Sequence, residues 1–234
     1  MDKKMKVLVT GAGRGGTNLL TSLMMKISNL NFTVEVEDRK FFNYDKLPEN
    51  YATKLSVENF GFDEENIFSS MSKNSDLYTL FVLRHPFDNC LSKIYRGRPA
   101  SKGGDKTTEI VSADATKETS VIAVKKLYKI LEFVTSNFED RCMVVKMEDI
   151  ILNPDIVVDK ISKKLNFNPK SYEGFQENNK NRYQKKRYGT KIDQGQINLY
   201  ENLSTSYDGF FEGKDVIPFF ESELKNEVLK YNKW

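Results

Sequence analysis

The segment Val7-Leu8-Val9-Thr10-Gly11-Ala12-Gly13-Arg14-Gly15-Gly16-Thr17-Asn18-Leu19-Leu20 constrains the fold more than any other stretch of the chain. An apolar run with the character of a buried strand enters a turn containing four glycines. Leu19, Leu20, Leu23, Met24 and Ile27 then follow at helical spacing, so the reading is strand, tight turn, helix. Such a turn aims backbone N–H groups and the positive end of a helix dipole at one point. Its expected occupant is an anion, phosphate above all.

The turn fits three templates. Gly11, Gly13 and Gly16 satisfy the G-x-G-x-x-G spacing of dinucleotide-binding folds, and Glu35 and Glu37 lie about 20 residues on, where a ribose-binding carboxylate belongs. Gly11 and Gly16 also have the spacing of the two glycines in a nucleoside-triphosphate P-loop. There Thr17 stands in the lysine position and Asn18 in the hydroxyl position, which argues against triphosphate hydrolysis. In the third template a basic residue enters the turn and hydroxyl or amide side chains open the helix, as Arg14, Thr17 and Asn18 do. That arrangement suits a phosphate that is gripped rather than hydrolysed.

At 234 residues the chain has the length of one well-buried domain. With 39% hydrophobic and 29% charged residues it is globular in character, and no stretch approaches the apolar length needed to cross a bilayer. Lys3, Lys4 and Lys6 lead straight into the strand without a small-residue cleavage site, so a cytoplasmic protein is expected. Cys90 and Cys142 lack Cys-x-x-Cys spacing and have no histidine cluster beside them; the expectation is two buried thiols and no metal. A net charge of +3 gives no reason to expect nucleic acid. His85 is the single histidine, so a mechanism needing a separate catalytic histidine has almost nowhere to put one.

Along the chain, residues 5–10 read as a buried strand and 17–28 as a helix. Residues 32–37 alternate Phe32, Val34 and Val36 against Thr33, Glu35 and Glu37, a strand with acidic residues at its end. Residues 43–75 give no clear assignment. Leu77–Leu83 form a continuous apolar run, as in a central parallel strand, and Pro86 opens a helix after it. Residues 96–118, rich in Gly, Lys, Thr, Ser and Asp, read as a mobile loop. Helical spacing returns over 119–137, a short strand over 143–146, and Asn153-Pro154 begins a helix through Leu165. The segment 180–189 is basic and loop-like, and 218–231 reads as one closing helix. Strands alternating with helices predict a single α/β domain: an open, mostly parallel sheet with helices on both faces and ligands at the strands' carboxyl ends.

A second anion site is written at the end of the central strand. In Arg84-His85-Pro86-Phe87-Asp88-Asn89-Cys90-Leu91-Ser92, Arg84 offers a planar fork for phosphate and Ser92 a hydroxyl two helical turns on. Taken with Arg14-Gly15-Gly16-Thr17-Asn18-Leu19, this pair resembles the sulfotransferases that use 3′-phosphoadenosine 5′-phosphosulfate (PAPS). In that family a turn of the pattern basic-Ser-Gly-Thr-Thr/Ser-apolar binds the 5′-phosphosulfate; here Gly15 replaces the serine and Asn18 the second hydroxyl residue. A later Arg-x-Pro-x-Asp-x-x-x-Ser binds the 3′-phosphate, and Arg84 and Ser92 match its contacting positions.

Weaker matches extend the resemblance. Glu148-Asp149-Ile150 and Asn153-Pro154 look like the family's acidic strand end and helix start. Lys185-Lys186-Arg187-Tyr188-Gly189 lies where the family has the basic loop completing the 3′-phosphate pocket. The resemblance implies a P-loop-like phosphosulfate-binding turn, with Arg14 at the leaving phosphate and backbone N–H groups of Gly15 and Gly16 beside it. It adds Lys54 as a further cation. It also implies a carboxylate base, since His85 belongs to the 3′-phosphate motif. Glu37 is first choice, before the Glu-x-x-Phe-Phe-like Asp38-Arg39-Lys40-Phe41-Phe42; Asp38 fits that spacing better, and Glu35 shares the face of Glu37.

The implied product is adenosine 3′,5′-bisphosphate. The acceptor is a hydroxyl or amine compound, and the basic Arg96, Arg98, Lys102 and Lys106 would suit a sugar-like or acidic one. Two other classes compete: an NAD(P)-dependent short-chain reductase and a nucleotide-binding module without catalysis. The first relies on Tyr-x-x-x-Lys, and no tyrosine here has a lysine four positions later; Tyr183 comes nearest, with Arg187.

Overall fold

The computed structural model describes residues 5–34, 49–58, 62–97, 116–173, 175 and 216–234. Among the described residues, five strands form one parallel sheet: β1 (Lys6–Gly11), β2 (Asn31–Val34), β3 (Tyr51–Ser56), β4 (Leu77–Leu83) and β5 (Cys142–Lys146), in the order β2-β3-β1-β4-β5. Helices flank it, as expected of an α/β chain. β1 is central because its residues are apolar on both faces: Val7, Leu8 and Val9 are at most 1% exposed, and all seven residues of β4 are buried. Each fully buried Val, Leu or Phe contributes about 1.5–3 kcal/mol.

The strand order fixes where a ligand belongs. From β1 the chain goes to β2 and from β4 to β5, so connections leave the adjacent strands β1 and β4 toward opposite edges. The carboxyl ends of that pair form a switch point, the usual ligand position in open α/β sheets.

The chain divides into two compact units, Met1–Leu83 with Lys126–Tyr172, and Arg84–Lys125 with Glu173–Trp234. The first contains the sheet, α1 (Thr17–Ile27), α2 (Glu64–Lys73), α5 (Met147–Leu152), α6 (Pro154–Leu165) and most of α4 (Lys117–Phe138). The second contains α3 (Pro86–Gly97), the start of α4, α7 (Val216–Glu223) and α8 (Lys225–Lys233). Among the described residues no helix is long and apolar enough to cross a membrane.

Several boundaries follow local chemistry. Asp63 caps α2 by accepting a 2.8 Å hydrogen bond from the Asn66 N–H, which satisfies one of the helix's unpaired donors. Pro154 sits in the first turn of α6, where its missing N–H costs nothing, and Asn166 closes that helix in the left-handed conformation with φ 56°. Asn153 is the N-cap of α6 but makes no side-chain capping hydrogen bond.

Three expectations are corrected. The unassigned stretch before Leu77 contains β3 and α2. The single closing helix is two: at Leu224, φ −114° and ψ 13° interrupt the spiral while that side chain goes fully into the core. The segment read as a loop over 96–118 is helical at both described ends, where α3 reaches Gly97 and α4 starts at Lys117; residues 98–115 lie outside the described residues. The strand expected over 32–37 is observed as Asn31–Val34, its remainder also lying outside them.

Candidate functional site

The glycine turn is built as the sequence requires. Gly11 ends β1, and a Cβ there would lie 2.6 Å from the Val82 carbonyl oxygen of β4 and 3.1 Å from the Thr17 methyl carbon. Only glycine allows the two central strands to approach so closely. The Gly15 N–H donates to the Ala12 carbonyl at 2.8 Å, closing a four-residue turn whose third residue, Arg14, has φ 67°. That left-handed conformation is uncommon for a residue with a side chain and costs of order 1 kcal/mol. Gly16 follows at φ 98°, and a Cβ on it would meet the Met147 Cγ at 2.8 Å.

This geometry revises which N–H faces an anion. The Gly15 N–H is committed within the turn, and the Leu19 N–H donates to the Gly16 carbonyl at 2.9 Å, while the Leu19 side chain is buried core. The Gly13 N–H, by contrast, is already bound to an oxyanion. It lies 2.9 Å from each carboxylate oxygen of Glu58. Helix α1 starts here with Gly16 as N-cap, no side-chain capping bond and no acidic residue in its first turn, so its own sequence leaves the positive dipole end uncompensated.

Lys54 joins the turn from β3, where it pairs in register with Val9 of β1. Its Nζ donates to the Asn18 Oδ1 at 2.9 Å, and the residue is 6% exposed. Replacing a hydroxyl residue by Asn18 therefore supplies a carbonyl oxygen that steadies a buried ammonium beside the helix start. Thr17 is buried in the first helical position and Arg14 is half-buried. Arg14, Gly16, Thr17, Asn18 and Lys54 thus lie in and around one turn.

Arg84 and Ser92 sit in the second unit. Arg84 directly follows β4 and is half-buried; Ser92, on α3, is 8% exposed, and Asp88 between them is fully buried. His85 stacks edge-on against Phe87 and Tyr231, with ring centroids 5.4 and 5.5 Å away, and Phe87 in turn lies against Phe220. Burial, with the Arg84 cation adding to it, pushes the His85 pKa down from 6.5 to about 4. The imidazole is therefore neutral at pH 7. Cys90 is buried as expected, and burial raises its thiol to about 12, so it is inert.

Glu35, Glu37 and Asp38, and Arg187, Tyr188 and Gly189, lie outside the described residues. Glu58 is the functional candidate missed in sequence. It follows the unassigned strand β3 and belongs to no recognisable spacing, so only the fold brings it to Gly13.

No protein-family model matches the chain, and no curated protein matches it in sequence. Solved structures do. The mouse sulfotransferase SULT7A1 complexed with PAP superposes with a TM-score of 0.60 at 11% identity, covering 96% of this chain and 86% of that one. A sulfotransferase domain from the curacin biosynthetic pathway gives 0.52 at 12% identity over 96% and 99%. A sulfotransferase from Alicyclobacillus acidocaldarius gives 0.50 at 14% identity over 78% and 92%. At such identities the likeness is one of fold, and it coincides with the resemblance carried independently by the two sequence motifs. The chain has the sulfotransferase fold.

Proposed function

We propose that this chain is a sulfotransferase that uses PAPS and transfers a sulfuryl group to a hydroxyl or amine of an acceptor, a carbohydrate or small molecule. The observation that carries the proposal is the turn after β1, where a backbone N–H already holds an oxyanion and a buried lysine is fastened to Asn18, the second residue of α1. Two features suit the co-substrate: Gly11 lets β1 approach β4 closely where the turn begins, and the first turn of α1 has no acidic residue of its own.

When bound, PAPS supplies an activated sulfuryl group whose transfer leaves adenosine 3′,5′-bisphosphate. The protein has three tasks. Arg14 and Lys54 stabilise the negative charge that builds toward the 5′-phosphate, helped by the Gly13, Gly16 and Thr17 positions of the turn; such fixed charges are the largest source of rate in transfers of this type. Arg84 and Ser92 hold the 3′-phosphate, the guanidinium by a bidentate contact, and Arg187, Tyr188 and Gly189 complete that pocket. A carboxylate, Glu37 before Asp38 or Glu35, takes the acceptor's proton.

Glu37→Gln tests the last assignment. With PAPS and a panel of phenolic and sugar acceptors, it should bind the donor as the wild type does and lose turnover by about a hundredfold or more. Bisphosphate release at the wild-type rate would move the base to Asp38 or Glu35. A wild-type chain that binds the donor and transfers nothing would be a nucleotide-binding module.

A further inference from the structure

Glu58 holds a position that donor binding requires. Its carboxylate takes the Gly13 N–H in a forked, charge-assisted contact, 2.9 Å to each oxygen, inside the turn that the proposed function gives to the 5′-phosphosulfate. The contact is built into the backbone. Val57, fully buried, donates its N–H to the Gly11 carbonyl at 3.1 Å, which fastens the end of β3 to the end of β1 one residue before Glu58. The register pairs Gly11 with Ser56, so the chain emerging from β3 is delivered at the level of the turn. Glu58 itself is exposed, whereas Val57 before it is fully buried.

We propose that Glu58 is a resident anion of the turn, which stands in for the donor's phosphate in the ligand-free chain and must be displaced for the donor to bind. The proposal rests on the donor reading above. A carboxylate fits the N–H of the turn and compensates a helix dipole that α1 leaves without an acidic residue. A phosphate or phosphosulfate cannot share that N–H with it, because two anions at contact distance repel. The donor therefore enters by exchange. A weakly charged or poorly shaped anion does not repay the loss of the Glu58 contact, while a ligand with several phosphate contacts does, so Glu58 also filters what the turn accepts.

The test is calorimetric titration of wild type, Glu58→Gln and Glu58→Ala, each with adenosine 3′,5′-bisphosphate and with inorganic pyrophosphate. Thermal unfolding checks that the variants fold, and the Gly13 amide signal in an 15N-labelled spectrum reports the contact itself. Both variants should bind both probes about tenfold more tightly than wild type, since removing the competing charge removes the exchange. The Gly13 amide should shift in the unliganded variants. If both variants tighten for pyrophosphate and no form binds the bisphosphate, the resident anion stands and the donor reading falls. Equal affinities in all three forms, weaker binding by the variants, or no pyrophosphate binding by any form would each overturn the resident anion, whatever the bisphosphate does.

Discussion

Gly11→Ala is expected to lower the unfolding temperature by about 2–12 °C and to abolish measurable binding of adenosine 3′,5′-bisphosphate. The methyl would stand 2.6 Å from the Val82 carbonyl oxygen, a backbone atom in the ladder between the two central strands. No side-chain rotation relieves such a contact; β1 and β4 must separate where the turn begins. Overpacking of this kind costs about 1–3 kcal/mol, and in a chain of this size each kcal/mol is worth about 2–4 °C. The affinity loss follows because the turn starts at the displaced residue. Gly16→Ala is a useful contrast, since its Cβ would meet the flexible Met147 side chain and the strain arises from φ 98°. Wild-type stability together with wild-type affinity in Gly11→Ala would contradict the close approach. Differential scanning calorimetry and titration read both quantities.

Arg84→Ala should weaken the bisphosphate about a hundredfold and leave adenosine 5′-phosphate, which lacks the 3′-phosphate, unaffected. Charge-assisted hydrogen bonds contribute about 1.5–3 kcal/mol each, and a bidentate guanidinium contact places a hundredfold within reach. The chain carries its own reporter for the same substitution. His85 is the only histidine, and the Arg84 cation holds its pKa down in addition to burial. Removing that cation should therefore raise the His85 pKa from about 4 while burial keeps it below 6.5. An NMR titration of the single imidazole follows this without overlap. Unchanged bisphosphate affinity would refute the 3′-phosphate assignment, and an unmoved His85 would show that Arg84 carries its charge elsewhere.

What could be read from sequence was whatever local chemistry decides alone. The strand–turn–helix of β1 and α1, the apolar run of β4, and the prolines opening α3 and α6 each depend on residues within one or two turns, and they fall where periodicity puts them. β3 was hidden because a strand buried along nearly its whole length here contains Thr53 and Lys54, so burial does not appear as an apolar run. The cap of α2 was present as Asp63, but Pro48, Gly61 and the polar residues around it broke the pattern. The break at Leu224 depends on the core that receives its side chain.

The candidate site divides in the same way. Arg14, Thr17 and Asn18 are legible because the turn is local. The pairing of Lys54 with Asn18 and of Glu58 with Gly13 links residues 36 and 45 positions apart, which only the parallel register of β1 and β3 brings together. The consumption of the Gly15 N–H inside the turn is likewise a consequence of Arg14 adopting φ 67°, which no spacing announces.

The most direct measurement is calorimetric titration of the wild-type chain with adenosine 3′,5′-bisphosphate and, separately, with NADPH. The proposed function predicts that the chain binds the bisphosphate and leaves NADPH unbound. Tight binding of NADPH with no heat from the bisphosphate would contradict the proposed function and return the glycine turn to a dinucleotide.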